Sequence, residues 1–94
     1  MSTQAESPEV LRRRRRNERI FAAWEQTEGG GRRYWYDVSG RAGWRARYVK
    51  EVDALERTTS FRQEIYDAEG RLREVHQKHP VDTGHMRVGN GEVS

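Results

Sequence analysis

His76, His79 and His85 fall within ten residues of one another, with Asp82 between the last two. Imidazole and carboxylate groups can ligate zinc or trade protons as general acid and base. Either use needs convergence. His76 and His79 stand three apart on an expected strand, which points them to opposite faces. The chain has no cysteine to complete a zinc site, and the spacing matches no zinc pattern, so no metal and no cofactor are expected. A catalytic arrangement would pair His76 or His79 with Glu64 and use Arg62 or Lys78 to stabilise a phosphorane. It would make a small ribonuclease that needs no metal. Nucleophile-elbow, phosphate-loop and paired-carboxylate motifs are all missing, so binding is the preferred reading over enzymatic activity.

Arginine supplies the other chemistry. Arg12, Arg13, Arg14, Arg15 and Arg16 are consecutive, and Arg19 follows. Residues 1–33 hold eight arginines against five acids, while residues 34–94 hold ten basic residues against ten acids. The formal charge of +3 is therefore carried by the N-terminal third. Guanidinium groups pair bidentately with phosphate and stack on bases. If four to six of them met phosphates, log K would fall with log salt at a slope of roughly −4 to −5. Val10 to Ile20 contains six arginines and one acid, Glu18, more cation than local carboxylates can pair. RNA or DNA is the first partner this suggests, and an acidic protein surface is the second. In that second case the chain would be an interaction module, an adaptor or an inhibitor. Arg45 and Arg47, on an aromatic strand, are added to the candidate binding set because arginine beside sheet-borne aromatics can stack unpaired bases. Acids on the same outer face of the sheet, notably Glu51, Glu64 and Glu74, favour cross-strand ion pairs there instead.

These residues need elements to hold them. Ser7-Pro8-Glu9 reads as a helix start, with Ser7 as cap and Pro8 at the first helical position. Val10, Leu11, Asn17, Ile20, Phe21 and Trp24 recur at helical steps, so the helix is expected over residues 8–26, ending before Gly29-Gly30-Gly31. From Arg33 the period becomes two. Strands are expected at about 33–38, 44–52, 58–66 and 71–79, joined by short turns into an antiparallel meander. Ile20, Phe21 and Trp24 are expected to meet Trp44, Tyr48, Phe61 and Ile65. The opposite face would carry Arg45, Arg47, Arg62, Glu64 and Arg73. Residues 1–6 read as disordered and 81–94 as a flexible tail. No internal repeat is evident. The segment Tyr66-Asp67-Ala68-Glu69-Gly70-Arg71-Leu72 is similar to the core of a YD repeat, Tyr-Asp-x-x-Gly-Arg-Leu. It occurs once, and a repeat array closes its core only with several copies, so it reads as a hairpin turn.

Ninety-four residues make one domain. The fold class expected is α+β: one N-terminal helix on a three- to four-stranded antiparallel meander. Apolar residues are 33% and charged residues 35%, so the core must be thin, and the nine aromatics carry most of it. A homodimer through an open sheet edge or exposed aromatics would bury more. No apolar run approaches the roughly 20 residues of a membrane span, and residues 1–19 lack the apolar stretch of a signal peptide. A cytoplasmic location without membrane contact is expected.

Overall fold

Ser7 starts the helix as its sequence implies. In a computed structural model, which describes residues 7–88, the Ser7 hydroxyl accepts the Val10 amide at 3.2 Å and Pro8 opens the first turn. Helix α1 runs Pro8–Ile20. Its last residue, Ile20, is six residues before the expected end, and the backbone is already extended at Phe21. The Ile20/Trp24 spacing that suggested more helix belongs to a different element. Ala23–Gln26 is a strand, β1, paired with β2 so that Trp24 lies opposite Tyr34. Tertiary pairing here outweighs a weak local propensity.

The sheet is a six-stranded antiparallel meander in chain order: β1, β2 (Arg32–Ser39), β3 (Arg45–Val52), β4 (Thr58–Tyr66), β5 (Leu72–His79) and β6 (Gly84–Arg87). The class is α+β as expected, but three or four strands become six. Both additions are four-residue edge strands. The last of them replaces part of the expected tail. Residues 89–94 of that tail and the N-terminal residues 1–6 lie outside the described residues.

The hairpins repeat a device that the sequence hides. The backbone N–H of Thr27, Gly40, Asp53 and Asp67 each donates to the carbonyl four residues on, at 2.7–3.0 Å. The first four strand connections thus recur every 13 or 14 residues. In two of them the chemistry repeats as well. Asp53 accepts the amides of Leu55 and Arg57 and the Arg57 guanidinium. Asp67 accepts the amides of Glu69 and Arg71 and the Arg71 guanidinium in the same way. The YD-like segment is one of this pair, the β4–β5 turn. The fourth position has positive φ in both. Gly70 fills it at 84° in one, and Glu56 fills it at 65° in the other. A side chain there is disfavoured, so something must hold Glu56 in place.

Helix α1 supplies that hold. The Glu56 side chain is 1% exposed. It accepts hydrogen bonds from Arg14 Nε at 3.3 Å, from Asn17 Nδ2 at 3.2 Å and from the Tyr34 hydroxyl. Phe21 then packs on Tyr34 and Tyr36, with ring centroids 5.7 and 5.4 Å away, and with Val52 forms the buried cluster. The helix is thereby pinned over the end of the sheet near the β3–β4 turn. Ile20, Trp24 and Trp44, expected in the core, are 51%, 42% and 37% exposed. Trp24 instead lies beneath the Arg32 guanidinium, 3.6 Å from its ring centre.

Candidate functional site

The helix meets the sheet along Val10, Arg14, Asn17 and Phe21, which recur at i, i+4, i+7 and i+11. At about 100° per residue these span roughly 60° of arc. Arg12, Arg15, Arg16 and Arg19 fall within about 100° of arc on the opposite side. All four are exposed, and among the described residues no carboxylate pairs with them. The run thus divides. Arg13 bonds to Glu9 at 2.6 Å, Arg14 reaches Glu56, and the other four form an outer stripe about 10 Å long at 1.5 Å per residue.

Arg45 and Arg47 lie elsewhere. Strand register puts them with Arg33, Arg62, Glu51 and Glu64 on the face of the sheet away from the helix. There Arg47 binds Asp37 bidentately at 2.7 and 3.0 Å, and Arg45 stands 3.9 Å from the same carboxylate. Arg33 bonds to Glu25 and Glu51, and Arg62 to Glu51 and Glu64. Arg45 also stacks over Tyr66 and Arg47 over Trp35, at 4.6 and 5.6 Å. Four arginines and four carboxylates make a neutral lattice, with Val49 buried among them. Hydrogen bonding from Arg47 holds the Asp37 carboxyl below its usual range. Burial pushes Glu51 upward, but bonds from Arg33 and Arg62 outweigh it and leave the group below its usual range. The candidate binding set is therefore not one surface: its helix members and its sheet members face opposite ways.

The histidines are also rearranged. A register shift between Phe61 and Arg62 places His79 opposite Phe61 and His76 opposite Gln63. Phe61 and Gln63 share the helix-facing side, so His76 and His79 do too, where simple alternation would have separated them. His76 Nε2 lies 2.6 Å from Asp82 Oδ1, His85 Nδ1 lies 3.0 Å from Glu74 Oε1, and the two rings are 4.7 Å apart. Glu64 is on the far face, bonded to Arg62 and to the Tyr66 hydroxyl. The sheet separates it from both His76 and His79. Among the described residues no group of three or more His, Asp or Glu side chains could hold a metal ion.

A shallow concavity on the outer side of the helix is lined by Pro8, Leu11, Arg12, Arg15 and Arg19, and a larger one lies on its inner side. A cleft of about 800 Å³ opens between α1 and the sheet, with Arg16, Lys50, Arg57 and His79 around Tyr36 and Phe61. Its anchor is Lys50, which donates to Asn17 Oδ1 at 2.9 Å. Since Asn17 gives its amide N–H to Glu56, a polar chain runs from buried Tyr34 through Glu56 and Asn17 to the ammonium. Burial, then the charge of Arg16, pulls the Lys50 pKa down, and Glu56 offsets this only in part. The signal for Lys50 was present in the sequence. It shares the parity of Tyr48 and Val52, so it is a lysine on the inward register of an aromatic strand.

Neither a family model, nor a curated protein, nor a solved structure matches the chain. No helix among the described residues is long and apolar enough to cross a membrane.

Proposed function

We propose that this protein binds nucleic acid through the phosphate backbone, without base sequence preference, using the outer face of α1. The observation that carries the reading is the stripe of Arg12, Arg15, Arg16 and Arg19, exposed and without carboxylate partners among the described residues. Arg12, Arg15 and Arg19 face away from the seam that fixes the helix to the sheet, and Arg16 stands at the stripe's edge beside the cleft, so the stripe presents its charge on a rigid support. Like charges at i, i+4 destabilise a helix, and an anionic polymer would relieve that repulsion. Arg45 and Arg47 leave the proposed contact set, because Asp37 already occupies them. The proposal keeps the protein in the cytoplasm. It is compatible with a homodimer through the open edges of β1 and β6, each four residues long.

The test is fluorescence anisotropy with a labelled duplex across a salt series. Four phosphate contacts give a slope of log K against log salt of about −3 to −4. Replacing Arg12, Arg15, Arg16 and Arg19 together by Gln is expected to abolish binding and flatten the slope. Retained affinity in that variant would sink the reading. Binding to an acidic protein in place of either nucleic acid would transfer the stripe to a protein partner.

A further inference from the structure

We propose that the cleft between α1 and the sheet is a nucleotide site, which receives one unpaired base and its phosphate from a single strand lying on the helix. This rests on the nucleic-acid reading above and deepens it by naming the form of the ligand. Size is the first support: about 800 Å³ lies within the 300–1,000 Å³ typical of small-ligand clefts. The second is the wall. Phe21, Tyr36, Tyr48 and Phe61 form a continuous row of rings with successive centroids 5.4, 5.1 and 6.5 Å apart. Phe21, Tyr36 and Phe61 of that row line the cleft, and aromatic side chains hold bases of any sequence.

The third support is charge. Arg13 and Arg57 turn to Glu9 and Asp53. Glu56, the one carboxylate among the described residues that line the cleft, is bonded to Arg14, Asn17 and Tyr34. Arg16 and Lys50 both line the cleft, close enough to repel, and among the described residues no carboxylate bonds to either of them, although the charge of Glu56 partly offsets that repulsion at Lys50. An ammonium has three donors, and Lys50 uses one on Asn17. Two donors and a guanidinium thus converge where a phosphate would sit. Arg16 belongs at once to the outer stripe and to the cleft, so it is the point where a backbone tracked along α1 would turn a base inward. Aromatic wall and paired cations together fit a nucleotide better than an acidic peptide, which offers charge without a ring to stack.

The experiment compares a ten-nucleotide oligothymidylate, a ten-nucleotide strand abasic at every position, and a blunt duplex of equal length, all at one salt concentration. The native protein is expected to prefer the intact single strand to both others by roughly tenfold, the scale of one stacked base. Lys50→Gln keeps a donor for Asn17 and removes the charge. Phe61→Leu keeps apolar volume and removes the ring. Each is expected to erase most of that preference while leaving duplex affinity unchanged. Thermal melting of both variants confirms that they fold, and NMR titration of the native protein with thymidine monophosphate is expected to shift the Lys50 and Phe61 signals. Equal binding of single strand and duplex, or a preference that survives both substitutions, overturns the cleft and leaves the stripe standing. If Arg12→Gln with Arg15→Gln and Arg19→Gln weakens neither polymer, the phosphate-gripping reading falls instead. A hexaglutamate peptide that displaces oligothymidylate at equal concentration also overturns the nucleotide assignment.

Discussion

Two surfaces of this molecule are rich in arginine, and they are built oppositely. On the far face of the sheet, Arg33, Arg45, Arg47 and Arg62 alternate across strands with Glu25, Asp37, Glu51 and Glu64, and each guanidinium has its carboxylate. On the outer face of α1, Arg12, Arg15, Arg16 and Arg19 have none among the described residues. Arginine content is similar, yet only the helix stripe carries unspent charge. What separates them is register. Cross-strand neighbours sit about 5 Å apart and can be matched in sign, whereas a run of consecutive arginines brings only more arginine to the i, i+4 positions.

The comparison depends on α1 being held firmly, and Glu56 is the holding group. Glu56→Ala takes the shared acceptor from Asn17 and Tyr34 at a buried site and removes one ion-pair partner of Arg14. The expected loss is about 3–5 kcal/mol, the usual result of removing one partner of a buried charged pair. Urea unfolding measures it. Glu56→Gly relieves the positive φ but breaks the same bonds, so it is expected to lose nearly as much. A Glu56→Gly variant as stable as the native protein would show that backbone strain, and not anchoring, dominates at this turn.

Tyr34 gives the next largest effect, and it depends on pH. Burial, then the hydrogen bond to Glu56, pushes its hydroxyl up to about 12 from the ordinary 10. The folded state therefore favours the protonated phenol. This contribution is complete below pH 10 and is lost as pH rises from 10 to 12, on the order of 2–3 kcal/mol at 1.36 kcal/mol per unit. Tyr34→Phe is expected to be less stable at neutral pH and to lose less between pH 10 and 12. Parallel alkaline curves for the two proteins would rule this out.

On the lattice side the effects are small. Arg47→Gln removes a bidentate contact to Asp37, but both side chains are about one-third exposed, so the expected loss is under about 1 kcal/mol. Asp37 titrates below its usual value when folded. The pair therefore stabilises above the ordinary carboxylate pKa, and its contribution disappears as pH falls through the depressed value. Arg47→Gln is expected to flatten stability against pH in that acid window, as followed by circular dichroism. A loss of several kcal/mol would mean that the lattice is part of the core.

Legibility in the sequence followed the range of the interaction. Ser7 and Pro8 announced the helix start because a cap is made within three residues. The four central strands were readable from period-two alternation. β1 and β6 were not, since four residues carry too little pattern and their pairing is decided by β2 and β5. Trp24 shows the conflict plainly: its spacing from Ile20 fits a helix, but its place is set by Tyr34 across the sheet. The matched Asp53 and Asp67 turns were visible as Asp-Ala-x-x-Arg in both, but the fourth position holds Glu in one and Gly in the other, and that difference hid the kinship. Glu56 could not be recognised as the anchor, because its partners lie 22 to 42 residues away. The stripe was half legible. The arginines were obvious, but their sorting into anchored and outward sets required knowing which side Val10, Asn17 and Phe21 bury.

That sorting yields the smallest and most discriminating stability effect. If the outer arginines hold nothing in the fold, replacing Arg12, Arg15, Arg16 and Arg19 together by Gln takes no bond away. Gln is nearly as good a helix former as Arg. The change also removes the like-charge pairs 12/16 and 15/19, each worth about 0.2–0.5 kcal/mol of repulsion, and the push of Arg16 on Lys50. Stability in low salt is therefore expected to stay level or rise by up to about 1 kcal/mol. The gain should fade near 1 M salt, where the screening length is about 3 Å. The far face responds in the opposite sense: loss of Arg47 destabilises, and added salt narrows its deficit. A stripe variant that melts earlier than the native protein would mean that these guanidinium groups are already engaged within the chain, and the contrast between spent and unspent arginine would disappear.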